Sequence, residues 1–246
     1  MQAARGPGAL DVGERLRRLS ELQSRLLSCS LCPRLRRFAE EVARNPPRRF
    51  RGQAYWAKPV PSFGDPTAPI VIVGMAPAPH GGNRTGRMFT GDQSGNNLFR
   101  ALYDAGLANK PASVSRDDGL EVYHVYITAV LHCAPPGNRP LPEEVRNCAD
   151  NYLSEEVRLL PNARVFVALG RLAFEELCRI FGVRYEFRHG AAYRLPDGRW
   201  LVASYHPSPR NVNTGLVSVE GLREVFELAR ELAGLGRSGG GGSGGS

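Results

Sequence analysis

The run IVIVGM from Ile70 is continuously apolar and short, the pattern of a strand buried on both faces. Three more such runs follow, at Val122–Leu131, Val165–Leu169 and Leu201–Ser204. Helix-like stretches separate them. Ser94 can cap a helix that runs to Asp104, with Leu98, Ala101, Leu102 and Ala105 on one face. Helices are also expected over Leu141–Leu160, Arg171–Phe181 and Val219–Leu235, and Tyr193–Arg199 reads as a hairpin edge turning at Pro196-Asp197-Gly198. Strands alternating with helices predict an α/β fold, a mostly parallel sheet with helices on both faces. Ligands of such sheets sit beyond the carboxyl ends of the strands. The polar segments after the first, second and fourth runs all fall at that edge.

Two helices precede the sheet. Asp11–Leu27 is amphipathic through Val12, Leu16, Leu19, Leu22 and Leu26, with Asp11 as N-cap and Glu14 as its reciprocal partner. An arginine-rich helix follows Pro33 and stops before Asn45-Pro46-Pro47. Residues 1–10 read as disordered, residues 11–237 as one domain, and Ser238–Ser246 (SGGGGSGGS) as an appended flexible linker. No apolar run reaches the roughly 18–20 residues of a membrane span, and no signal peptide is evident, so a cytoplasmic, nucleoid-associated location is expected.

The net charge of +8 is localised. Residues 1–58 hold 13 basic and 5 acidic side chains, whereas the remainder balances. Seven arginines lie within Arg34–Arg51, against Glu40 and Glu41. The choice of Arg over Lys (30 against 2) can follow from GC-rich codons, but clustering at one end is the footprint of phosphate contacts.

Cys29 and Cys32 form a C-x2-C pair, and Cys133 and Cys148 a looser one a hundred residues on. Distant thiols gathered in a cytosolic chain point to a metal or an iron–sulfur cluster rather than to a disulfide framework. Spacing alone leaves zinc and a cluster both open. Cys178, mid-helix, reads as core packing.

Three loops carry the remaining signal. GMAPAPHGGNRTGRMFTGD from Gly74 lacks the GK[ST] of a P-loop and the G-x-G-x-x-G of a dinucleotide site. Asp92 closes it, as a helix-terminal carboxylate or as a functional one. Phe89 is an aromatic among polar neighbours, where it can stack on a base. HPSPRNVNTG from His206 is a rigid polar loop after a strand, and CAPPGN carries Asn138 at the same edge. His80, His124, His132 and His189 show no pairing in sequence.

Together, CxLCPRL (Cys29–Leu35), the Gly74–Asp92 loop, CAPPGN with Cys148, and HPSPxNxxTG make the chain resemble the type B, or family 5, uracil-DNA glycosylases. The likeness runs from about Leu26 to the last helix. It implies a three-layer α/β/α fold around a central four-stranded parallel sheet. It also implies a 4Fe–4S cluster on Cys29, Cys32, Cys133 and Cys148, tying the N-terminal helices on.

The implied activity is base excision repair. Uracil, and other deaminated bases such as hypoxanthine, would be flipped out of DNA and released by hydrolysis, leaving an abasic site. Asp92, His206 and Asn138 are the expected catalytic set. Gly74, Met75, Ala76, Phe89, Ala129, Ser208 and Asn211 are the expected base contacts. Arg34, Arg36, Arg37, Arg48, Arg49, Arg51, Arg84, Arg87 and Arg210 are the expected phosphate contacts. Type A relatives carry a Glu or Asp in the first motif and an Asn after the second strand; here those places hold GMAPA and Ala129. No lysine lies in the motifs, so a monofunctional enzyme is expected. The reading is of a monomer, with room for a repair partner such as a sliding clamp. The competing readings are a redox iron–sulfur protein and a DNA-damage binder that is non-catalytic or traps the sugar covalently.

Overall fold

The computed structural model describes residues 10–236. The disordered terminus and the Gly/Ser linker expected from sequence lie almost wholly outside the described residues.

The chain opens with α1 (Val12–Leu27) and α2 (Pro33–Arg44), then edge strand β1 (Phe63–Gly64) and β2 (Ile70–Gly74). Next come the short α3 (Gly82–Thr85), α4 (Gln93–Asp104) and β3 (Val125–Ala129). After these run α5 (Pro142–Cys148), a π-helical turn (Ala149–Leu153) and α6 (Ser154–Leu159). The second half is β4 (Val165–Leu169), α7 (Arg171–Phe181), β5 (Ala192–Arg194), β6 (Trp200–Ser204), α8 (Pro209–Asn213) and α9 (Val219–Leu232).

The sheet order is β1-β3-β2-β4-β6-β5. The four central strands are parallel, as expected, and β1 and β5 add antiparallel edges. The β1 edge lies in a proline- and aromatic-rich loop of only two paired residues, which leaves no periodic signal. Each central strand is buried on both faces, yet alternate residues feed different cores. Val71, Val73, Phe166, Ala168, Leu201 and Ala203 pack with the helices of the first core. Ile70, Ile72, Val165, Val167 and Val202 pack with Phe99 of α4 and Phe226 of α9 in the second.

Some local expectations are corrected. Asp92, not Ser94, caps α4, its Oδ1 accepting from Gly95 N at 2.9 Å. Asp11 caps α1 by accepting from Glu14 N, but the Glu14 carboxylate turns to Arg17 and Arg18 instead of closing the box. Val12 is exposed, outside the stripe of Leu19, Leu22 and Leu26. The expected Leu141–Leu160 helix carries a π-helical turn that begins directly after Cys148. Such turns concentrate at functional positions.

Candidate active site

The carboxyl ends of β2, β4 and β6, with the loop after β3, surround a cavity of about 610 Å³. Asp92, Phe89, Asn138 and His206 all line it, as do Met75, Ala76, Ser208 and Asn211. The cap bond fixes one Asp92 oxygen at the positive end of α4. Burial raises the Asp92 pKa above the usual carboxylate range, opposed by the amides of Gly95 and Ser94 and by Arg84. Burial also lowers the His206 pKa to about 4, so the imidazole is neutral at pH 7. Its ring lies 6.0 Å from that of Phe89, tilted by 32°.

Glycines make this arrangement possible. A Cβ on Gly81 would overlap Asp92 Oδ2, and one on Gly74 would meet the Phe89 ring at 2.7 Å. Phe89 itself holds φ at +50°, a conformation L-residues rarely adopt away from a site that requires it. Gly81→Ala is therefore expected to push the carboxylate aside and slow turnover about a hundredfold, as displacements near 1 Å do. Single-turnover rates at unchanged DNA affinity check this.

Several expected contacts are corrected. Gly74 and Ala129 are buried strand ends that do not line the cavity; Ala129 belongs to the second core. Ser208 and Asn211 keep their place in the cavity wall and also brace its loop: Ser208 Oγ accepts from Asn211 N, and Asn211 Nδ2 donates to His206 O at 2.9 Å. Arg87 is buried, its guanidinium donating to Thr90, Ser113, Asp118 and the Arg116 carbonyl, so it faces no phosphate. Arg34 is held bidentate by Glu144. Arg84 donates to the His80 and Gly91 carbonyls and to Gln53. Arg37, Arg48, Arg49, Arg51 and Arg210 are exposed and have no carboxylate partner among the described residues.

Sequence reasoning missed a wall. Gly170 and Arg171 after β4, with Phe187 and Tyr205, complete the cavity. The signal available was a Gly-Arg pair at the end of a fourth parallel strand.

Cys29, Cys32, Cys133 and Cys148 line one small apolar pocket between α1, α2 and α5. Cys178 is buried elsewhere, in the first core. Burial raises the thiol pKa of Cys133 to about 11 and moves Cys32 and Cys148 the same way. Among the described residues no three His, Cys, Asp or Glu side chains stand close enough for a single ion. Two buried side-chain nitrogens there lack any hydrogen-bond partner, Arg36 Nη1 and His132 Nε2, and both residues line this same pocket. Arg36 is thus corrected from phosphate contact to pocket wall. The Val60 carbonyl accepts from His132 Nδ1 at 2.7 Å, which turns Nε2 inward.

A cavity at the edge of an α/β sheet that gathers the Asp92 carboxyl, the neutral His206 imidazole and the Phe89 ring, with exposed arginines on the same molecule, is suited to a planar group attached to a polyanion. A family model described as the uracil DNA glycosylase superfamily matches residues 61–230. A type-5 uracil-DNA glycosylase of Thermus thermophilus is 54% identical over 85% of this chain and 96% of its own length. One from Pyrobaculum aerophilum is 51% identical over 86% and 92%, and one from Mycobacterium bovis 43% identical over 88% and 82%. The chain belongs to the uracil-DNA glycosylase superfamily, in its type-5 family.

Proposed function

We propose that this protein excises uracil from DNA by hydrolysing the N-glycosidic bond, initiating base excision repair. The observation that carries the reading is the convergence of Asp92, His206 and Phe89 on one cavity, in a chain whose relatives bear that name. The bond is inaccessible inside a duplex, so the nucleotide is flipped into the cavity, at a cost of a few kcal/mol that is smaller at a mismatch. Phe89 stacks on the base. As the bond breaks, the sugar becomes cationic and the base anionic. Ionised Asp92 stabilises the sugar and orients a water, whose hydroxyl joins C1′ while its proton is released and the base leaves. His206 donates a neutral N–H to the carbonyl oxygen that gains charge. Asn138 positions the water or the base, and backbone amides at Met75 and Ala76 meet the base edge. Arg37, Arg48, Arg49, Arg51 and Arg210 contact phosphates.

No lysine lines the cavity, which supports hydrolysis without a Schiff base. The β3 end contributes a buried Ala129 rather than a polar reader, which favours acceptance of other deaminated bases such as hypoxanthine. The protein acts as a monomer. Incubating it with a uracil-containing oligonucleotide and then with alkali tests the reading: strand scission only after alkali is expected. Scission without alkali, or none at all, overturns it.

The four cysteines hold a 4Fe–4S cluster in this reading. Four cysteines from three separate segments line one apolar pocket, and four thiolates are the ligand set of such a cluster. Arg36 supports the same assignment, because its buried Nη1 faces the cysteine pocket without an acceptor while Nη2 is turned to Glu40. The cluster supplies a cross-link, joining α1 and α2 to the loop after β3. Cys29→Ser is expected to lose the brown colour and to weaken DNA binding together, read by visible absorbance and by gel shift. A colourless variant that binds as the parent does contradicts it.

A further inference from the structure

Beside the catalytic cavity, sharing its walls at Ala78, Asp92, Ser94 and Pro209, lies a second concavity of about 760 Å³. Phe50 and His80 line it. Phe50 is only half-buried, and neither hydrophobic core includes it or Tyr55. The Arg49 and Arg84 guanidinium carbons stand 4.7 and 4.3 Å from the Phe50 ring centroid. The His80 ring is 5.9 Å from Phe50, and Tyr55 Oη lies 2.9 Å from His80 Nδ1. Arg84 bonds the carbonyls of His80 and Gly91, which fixes this aromatic group to the loop that ends in Asp92.

Aromatic rings kept out of both cores, left partly in water and flanked by two cations, match the composition of a stacking platform for single-stranded nucleic acid. Asp92 is the sole carboxylate among the lining residues, and it also faces the catalytic cavity. The shared wall sets the two concavities side by side.

We propose that this groove is a second nucleotide site, which takes the base flanking the lesion onto the Phe50–His80 pair, backed by Tyr55, when that base is unpaired, with the exposed Arg49 at its phosphate and Arg84 bracing the pair from its internal hydrogen bonds. It rests on the glycosylase reading and assigns the strand form that gains from the groove. In a duplex the flanking base stays stacked and paired, so the platform is idle. In a single strand or a bubble the base is free to enter. Stacking is tolerant of base identity, so the site selects for an unpaired neighbour and not for a sequence.

The test compares uracil in a single strand with uracil in a U·G duplex. Phe50→Ala is expected to raise KM for the single strand roughly tenfold, within the range of lost base stacking. Its kcat, and KM for the duplex, stay near the parent's. His80→Ala gives the same asymmetry, and thermal melts confirm that both variants fold. 2-Aminopurine placed on either side of an uncleavable uracil analogue is quenched on one side in the parent, and Phe50→Ala restores its emission. Arg49→Gln weakens both substrates and flattens the salt slope by about one unit. Equal KM changes on both substrates, no change on either, or 2-aminopurine emission indifferent to Phe50 would overturn the site. Uracil release by the parent from the duplex is read in the same series, so failure of the glycosylase reading shows there separately.

Discussion

Asp92→Asn is expected to slow uracil release about a thousandfold, since it removes the one carboxylate lining the cavity that can face a developing cation. The substitution is chosen because it separates chemistry from folding. Asn is as good an N-cap as Asp, so its side-chain oxygen still accepts from Gly95 N and α4 keeps its start. Stability should not fall. The folded-state pKa of Asp92 is raised by burial, so the native state binds the proton more tightly than the unfolded chain does. Ionisation therefore costs native stability above the unfolded pKa, in full above the folded one. Asn has no such cost, and Tm at pH 7 should stay level or rise. The same shift sets the pH profile. Activity needs the carboxylate, so the parent loses rate as pH falls through the raised Asp92 pKa, at a higher pH than an ordinary aspartate would give. In Asp92→Asn that limb should vanish from the residual rate. A variant with parental kcat would show that the carboxylate is only a helix cap.

That ambiguity was visible in the sequence and could not be resolved there. Asp92 precedes a helical pattern, and a capping carboxylate looks the same in a sequence whether or not it borders a cavity. It is both: one oxygen serves α4, while Gly81 leaves the space the other occupies. The parallel sheet was legible because continuous apolar runs allow few alternatives. The thiol quartet was legible because cysteine is scarce and its spacing ordered.

The arginines were the least legible. Net charge reports how many cations there are, not where each guanidinium goes. Arg87 is consumed by Asp118, brought in by a loop more than 25 residues on with no periodic signature. Arg34 is consumed by Glu144 and Arg36 turns inward. The exposed basic surface shifts from α2 toward Arg48, Arg49 and Arg51. Phe50 and His80 were passed over for a related reason. Their significance is mutual, and a separation of 30 positions hides it.

His206→Ala is expected to lower kcat by two to three decades, because a single donor aimed at developing negative charge is worth roughly 3–4 kcal/mol. The loss should be pH-independent between pH 6 and 8, since burial lowers the His206 pKa to about 4 and the imidazole is neutral throughout that range. A protonated imidazolium mechanism predicts the opposite: a rate that falls as pH rises through neutrality in the parent and not in the variant. The stability sign is also distinct. Between pH 6.5 and about 4 the unfolded chain binds a proton that buried His206 refuses, so the parent loses stability on acidification and His206→Ala loses less. His206→Asn restores an N–H donor without a titratable ring and should recover part of the rate with the same flat profile. If His206→Asn and His206→Ala are equally slow, the ring's contact with Phe89, and not its donor, is what the reaction uses.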